Sequence, residues 1–257
     1  MSSYQKNYHT FQAMNLPFTL TMVSNDLEKA ILLMEDIKPA IEAELERIEQ
    51  TYSPFLEDSL VSQFAAGKDE ILLENREFYQ VYASCAAAEV KTKGYFTPYY
   101  NDSYNPTGYA KGWTVEKIFK EVIKPLLAHD FMIAVSFNGG GDMQFASREA
   151  SDFEWQIAVE NPDDRQKIVA TYHLANGAMA TSGFSKRGQH SQQALHSGVK
   201  QVTIISDSLA VADVWATVGL VASESDFTEF ITKEGLSGLI CHQEGLIIFN
   251  KGEIHYA

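Results

Sequence analysis

The sequence predicts an α+β fold with a mostly antiparallel sheet and packed helices. Helical and strand-like segments mix without the regular β-α-β order of a parallel sheet. Three short β-rich segments close the chain, separated at Gly245 and at 251–252 as in a β-meander. The 257 residues are 45% apolar, which is ample for a sizeable core. We see no Pro-, Ser- or Gly-rich linker and no repeat, so we expect one domain over residues 1–257.

Three segments have the apolar periodicity of amphipathic helices. The first extends from Asn25 to Gln50, where apolar residues recur at steps of three and four and Asn25 with Glu28 resembles a capping box. Pro39 would allow a bend there. The second covers roughly residues 77–91 and the third roughly 113–129. We interpret all three as scaffold.

The strand-like segments are short and either alternate in polarity or are rich in β-branched residues. They are residues 18–23, 132–137, 155–159, 168–174, 202–206, 239–242, 246–250 and 253–256.

Charge and cysteine content restrict the partners. With 20 basic and 34 acidic residues the net charge is −14, which disfavours nucleic acid and anionic membranes through repulsion. Cys85 and Cys241 lie far apart without metal-ligand spacing, so neither a disulfide framework nor a zinc site is indicated. No signal-peptide, lipid-anchor or membrane-span pattern is found. We therefore expect a cytoplasmic protein with no membrane anchor.

Two glycine-rich stretches are candidate ligand loops. Residues 105–112 precede the third predicted helix, where glycines, a helix N-terminus and Lys111 would suit a phosphate; a helix-capping loop with a solvated lysine is the alternative. Residues 138–142 contain three glycines followed by Asp142, which could cap the turn or hold a ligand hydroxyl. A tight hairpin turn explains this second stretch equally well.

Two further stretches carry hydroxyl and carboxylate groups. In residues 177–188, small hydroxylated residues precede Lys186 and Arg187, a composition that could surround a phosphoryl group or form a polar surface turn. In residues 212–220, Asp213 and Thr217 are four apart and so emerge on one helix face, a spacing suited to a hard cation. The alternative is a capping Asp213 and a Thr217 bonded back to its own helix.

In order along the chain, these stretches and three others resemble the motifs of the FAD:protein FMN transferase family, the ApbE-like flavin transferases. The resemblance spans residues from about 11 to 222. The matching stretches begin at Met14 and include residues 52–59, 94–98, 108–112, 140–142, 180–183 and 212–217.

The resemblance implies an α+β fold related to the T-fold and a reaction with two cofactors, FAD as substrate and Mg²⁺. The FMN half of FAD would move to a Ser or Thr of an acceptor flavoprotein, with release of AMP. Alternatives are hydrolysis of FAD to FMN and AMP, and a catalytically weak FAD-binding protein.

The resemblance also assigns roles to particular residues. Asp213 and Thr217 would supply side-chain oxygens to Mg²⁺, with backbone help from Gly108 and Ala216, and Asp213 would be essential for turnover. Phe55 takes the place of an aromatic that stacks on adenine. The other residues expected around FAD are Met14, Thr97, Pro98, Tyr99, Asn105, Lys111, Asp142, Thr181, Ser182 and Gly183.

A hydroxyl acceptor needs a base, and His190 beside the Thr-Ser-Gly motif is our candidate because histidine titrates near pH 6.5. A surface histidine is the alternative. The sequence departs from the family pattern after His190, and Thr97 and Asn105 stand where the family has aspartates. Met14 is followed by Asn-Leu where the family has Gly-Thr. These departures put catalysis, more than fold, in question.

Overall fold

A nine-stranded antiparallel sheet organises the computed structural model, which describes residues 4–183 and 198–256. The strand order is β1-β2-β5-β6-β9-β10-β11-β12-β13. These strands are β1 Gln5–Ala13, β2 Leu16–Ser24, β5 Met132–Gly139, β6 Asp142–Ser147, β9 Gly177–Gly183, β10 Val199–Ser206, β11 Ser237–His242, β12 Gly245–Asn250 and β13 Glu253–Tyr256. Two separate hairpins are formed by β3 Tyr99–Tyr100 with β4 Ser103–Tyr104, and by β7 Trp155–Glu160 with β8 Ile168–Leu174.

Seven α-helices are present in the described part of the chain. They are α1 Leu27–Tyr52, α2 Leu60–Ala65, α3 Ile71–Glu74, α4 Arg76–Lys91, α5 Thr107–Ile118, α6 Leu209–Val221 and α7 Glu224–Glu234. A π-helical turn (Phe119–Ile123) and a 3₁₀ turn (Lys124–Ala128) continue α5.

The large sheet buries side chains on both faces. On one face Phe18, Leu20 and Met22 of β2 join the main core with apolar residues of the helices. On the other face Val23 and Phe145 pack with Trp155 of the β7-β8 hairpin in a second cluster. Alternation along the strands therefore separates two cores, and the helices that carry the candidate site belong to the first.

The predicted fold class is confirmed: the protein is α+β, with a large antiparallel sheet and packed helices. All eight predicted strands and the first two predicted helices are present, with boundaries within a few residues. The first helix continues through Pro39, and its N-cap is Asp26, whose side chain accepts from Lys29 N, not Asn25 as the capping-box pattern suggested.

Two predictions about the glycine-rich stretches were wrong. The third helix begins at Thr107 instead of near residue 113, so the expected loop at 107–112 forms its first turns. For residues 177–183 the surface-turn alternative is also wrong, because they form the central strand β9. In both places small residues allow neighbouring elements to pack closely. In the sequence alone, the same run of small residues is typical of a loop.

No helix in the described ranges is long and apolar enough to cross a membrane.

Candidate functional site

The start of helix α6 is fixed by three side chains. Ser208 is the N-cap and accepts from Val211 N, while the carboxylate of Glu116 in α5 accepts from Ala210 N at 3.0 Å and from the Ser208 hydroxyl at 2.6 Å. Gln144 of β6 accepts from Leu209 N at 3.2 Å. These bonds satisfy amide groups that a helix N-terminus leaves open. The suggestion that Asp213 caps this helix was therefore wrong, since Asp213 lies in its second turn.

Glu116 is a largely buried carboxylate, with its side chain 12% exposed, and it is held in its charged form. Burial alone raises its pKa, but hydrogen bonds from Lys120, Ser208 and the Ala210 amide outweigh burial, and the net pKa lies below its ordinary value. The charged group therefore ties α5 to α6 at neutral pH.

Helices α5 and α6 approach closely at Gly112. A Cβ on this glycine would lie 3.0 Å from the Leu209 carbonyl oxygen and 3.1 Å from the Cβ of Asp213. Cβ contacts this short are rare, so a larger residue here would require α6 to shift by a few tenths of an ångström. The contact positions Asp213 beside the residue that precedes Gly112, which is Lys111.

Lys111 binds two buried carboxylates from different elements. Its ammonium donates a hydrogen bond to Asp142 Oδ2 and lies 3.5 Å from Asp213 Oδ1. The Asp142 and Asp213 side chains are 2% and 1% exposed, whereas that of Lys111 is 23% exposed. Two negative charges therefore meet one positive charge at the edge of the core.

Asp142 follows the tight turn at Gly140 and Gly141, both of which have positive φ, so the hairpin interpretation of the glycine-rich stretch is correct. Its Oδ1 atom accepts from Thr181 N of β9 at 2.8 Å. The carboxylate therefore links the hairpin, β9 and Lys111. Asp142 therefore occupies the position of a residue that organises the site and not that of a solvent-exposed residue that caps the turn.

Hydroxyl groups lie beside this cluster. The Ser182 and Thr217 hydroxyl oxygens are 3.4 Å apart, and those of Thr181 and Thr203 are 2.9 Å apart. Asp213 and Thr217 occupy consecutive turns of α6, so one helix presents a carboxylate near Lys111 and a hydroxyl near Ser182.

A cavity of about 370 Å³ opens next to Lys111. Its walls come from α1 and the segment after it, from the β1-β2 turn and from the start of α5. They include Met14, Glu49, Tyr52, Phe55, Thr107 and Lys111. Phe55 is 88% exposed. The structure therefore brings three of the predicted ligand residues, Met14, Phe55 and Lys111, to one cavity.

The turn at Met14 is held by Glu49. Met14 and Asn15 have φ angles of 51° and 56°, and Met14 N donates to Glu49 Oε2 at 3.0 Å. Both Met14 and Glu49 line the cavity. Sequence reasoning missed Glu49 because an acidic residue on a helix is usually solvated; its place four residues after the buried Leu45 was the available signal.

The other predicted residues lie at varied positions. Asn105 Oδ1 accepts from Thr107 N at 3.1 Å and from its hydroxyl at 2.7 Å, which supports the start of α5. Thr97, Pro98 and Tyr99 are not among the cavity-lining residues, although the Pro98 carbonyl accepts from Asn105 N. Gly108 lies in α5, Ala216 is buried in α6 and Gly183 is buried in β9. His190, Lys186 and Arg187 lie outside the described residues, as do residues 191–197 of the altered segment that follows them.

The chemistry of the clustered groups suits a hard cation. Asp213 and Thr217 offer carboxylate and hydroxyl oxygens, with the Ser182 hydroxyl adjacent. Mg²⁺ typically uses one or two carboxylates and keeps other positions for water and phosphate. Within residues 4–183 and 198–256, no group of three or more His, Cys, Asp or Glu side chains could hold a metal alone. These protein oxygens therefore fit a cation that takes its remaining ligands from an anionic molecule and from water.

The fold and this cluster define a protein in which one lysine contacts two buried carboxylates and also lines a cavity. The family model described as "ApbE family" matches residues 103–240, more than half of the chain. This protein therefore belongs to the ApbE family, and the resemblance found from its motifs is confirmed.

Solved structures agree in fold at low sequence identity. The apo flavinyl transferase ApbE of Pseudomonas stutzeri is 15% identical with a TM-score of 0.68, over 99% of this chain and 94% of that one. The flavin transferase ApbE of Vibrio cholerae is 14% identical with a TM-score of 0.65, over 99% and 97%. The ApbE protein of Thermotoga maritima is 19% identical with a TM-score of 0.72, over 98% and 97%. No curated protein matches the chain.

Proposed function

We propose that this protein transfers the FMN half of FAD to a Ser or Thr of an acceptor flavoprotein, in a Mg²⁺-dependent reaction that releases AMP. Membership of the ApbE family supports the reaction class. The single structural observation that carries the proposal is Lys111, which lines the cavity and contacts both Asp142 and Asp213. This arrangement combines space for a ligand with charges of both signs beside it.

Each group has a task in this scheme. Phe55 offers an exposed ring for stacking on adenine, and Met14 and Glu49 shape the same cavity. Lys111 would bind a phosphate oxygen, and Asp213 and Thr217 would hold the metal. Bound there, Mg²⁺ would supply neutralisation of the charge on the diphosphate and on the departing AMP. Roles for Thr97, Pro98, Tyr99, Gly108 and Ala216 remain predictions.

The reaction forms one bond and breaks one. The oxygen of the acceptor hydroxyl attacks the phosphorus of the FMN half, and the bond from that phosphorus to the oxygen shared with AMP breaks. The hydroxyl proton passes to a base, for which His190 remains our candidate, and AMP leaves as the anion. Positioning and charge neutralisation by the chain are expected to supply most of the acceleration.

The test is to incubate the protein with FAD, Mg²⁺ and candidate flavoprotein domains that expose a Ser or Thr. Covalent flavin fluorescence on the acceptor in a denaturing gel, with AMP in equal amount, supports transfer. Formation of AMP and free FMN without labelled protein would reject transfer and indicate hydrolysis of FAD. If FAD binds but no AMP is released with any acceptor, the enzymatic proposal is rejected and the protein is an FAD-binding protein.

A further inference from the structure

We infer that Lys111 acts as a built-in competitor of the divalent cation, and that it must withdraw from Asp213 before the metal binds. This inference rests on the proposed function, because it concerns the carboxylate proposed as a metal ligand. It adds a positioning role for Lys111 and a binding order: metal and anionic nucleotide enter the site together.

The competition follows from the position of the ammonium. Lys111 Nζ lies 3.5 Å from Asp213 Oδ1, at a carboxylate whose side chain is 1% exposed. A divalent cation on the same carboxylate would be a close neighbour of the ammonium. Two like charges at such a distance repel strongly where solvent screening is weak. The two cations therefore cannot share Asp213 without cost.

The structure also provides a position to which the lysine can withdraw. Lys111 is hydrogen-bonded to Asp142, which is held independently by Thr181 N. The side chain of Lys111 is partly exposed and lines the cavity. The ammonium can therefore leave Asp213, keep Asp142 and face the cavity. A phosphate in the cavity would favour that position, which makes metal and nucleotide binding mutually reinforcing.

Lys111 offsets one of the two carboxylate charges, so the charge count favours binding of the second cation most when the nucleotide is present. With Lys111 between them, Asp142 and Asp213 already have a positive partner. A diphosphate adds negative charge and draws Lys111 toward itself. Asp213 then takes the divalent cation as its counter-charge.

The test is metal affinity without nucleotide, measured on the full chain with Mn²⁺ as the probe by the paramagnetic resonance signal of the free ion. We expect Lys111→Met to bind Mn²⁺ about tenfold more tightly than the unaltered protein, because the competing charge is gone. Lys111→Arg keeps the charge and should show no such gain. Equal or weaker binding by Lys111→Met would overturn the inference.

Lys117→Met is the matched control. Lys117 lies on the same helix and contacts Glu44, Glu77 and Glu121, and its loss changes the net charge of the protein by the same amount. Its Mn²⁺ affinity should change by less than about twofold. A gain as large as that of Lys111→Met would indicate a general charge effect and would overturn the inference.

Folding of Lys111→Met supplies a second readout, because removal of the lysine leaves two buried carboxylates together. We expect Mg²⁺ to raise its melting temperature more than that of the unaltered protein, or to restore its folding if it is unfolded without metal. Absence of that extra stabilisation would contradict the inference. AMP release by the unaltered protein is measured separately, so a failed proposed function is distinguished from a failed competition.

Discussion

Gly112 of α5 lies against Asp213 of α6 so closely that a Cβ on the glycine would be 3.1 Å from the Cβ of the aspartate. The same Cβ would be 3.0 Å from the Leu209 carbonyl oxygen and 3.2 Å from the Ala210 Cα. Backbone atoms cannot move aside as the end of a side chain can. The helix crossing that positions Asp213 therefore depends on the absence of a side chain at residue 112.

Gly112→Ala should destabilise the protein and displace Asp213. Alanine gains about 1 kcal/mol of helix propensity over glycine, but overpacking against a backbone typically costs about 1–3 kcal/mol. We expect a lower urea midpoint and weaker Mn²⁺ binding. Gly108→Ala is the control for stability, since its Cβ would meet only a side-chain atom, Phe96 Cε2, at 3.4 Å. Equal urea midpoints for the two variants would contradict this account.

Glu116→Gln should lower stability in a pH-dependent way. The pKa of Glu116 lies below its ordinary value, so its stabilising contribution is present above pH about 4.5 and is lost as the pH falls through the lower folded value. At pH 7 we expect a loss of about 1–3 kcal/mol in the free energy of unfolding, because charge-assisted bonds to Lys120, Ser208 and Ala210 N weaken.

The difference between Glu116→Gln and the unaltered protein should shrink below pH 4 in urea unfolding curves. Glu121→Gln is the control, since the Glu121 side chain is 59% exposed and its pair with Lys117 should contribute little. A Glu116→Gln effect that stays constant down to pH 3 would show that the charge of Glu116 is not what ties α5 to α6.

Glu49→Ala should weaken FAD binding by releasing the Met14 turn. Loss of one charge-assisted hydrogen bond of about 1.5 kcal/mol corresponds to roughly a tenfold higher Kd. Glu49→Gln keeps an oxygen that can accept from Met14 N, so its Kd should rise by less than about threefold. Quenching of flavin fluorescence measures both. Equal losses in the two variants would point to the charge of Glu49 and not to the turn.

The sequence predicted elements whose pattern is local. The short apolar segment at 132–137 corresponds to β5, which is buried on both faces of the sheet. The three- and four-residue steps from Asn25 to Gln50 correspond to α1, because burial of one helix face imposes that period. Strand β1 was not predicted, since its exposed edge position tolerates polar residues such as Gln5, Lys6 and Asn7. Helix α7 was also missed, although Ser223 caps it and Gly235 ends it.

The residue types of the candidate site were predictable, but the contacts between them were not. Asp213, Thr217, Lys111 and Asp142 were all identified from residue type and spacing. The contact of Lys111 with both carboxylates joins α5, β6 and α6, which no local spacing encodes. Gly112 indicated a loop because its role is tertiary: it allows the close crossing of α5 and α6.

The most direct test of the central claim compares the unaltered protein with Asp213→Asn in FAD, Mg²⁺ and acceptor, measuring AMP and covalent flavin together. Asp163→Asn, an exposed surface change, is the control. We predict equal amounts of AMP and protein-bound flavin from the unaltered protein and the control, and loss of both by at least about a hundredfold in folded Asp213→Asn. Undiminished turnover by Asp213→Asn, or no AMP from the unaltered protein, would contradict the account.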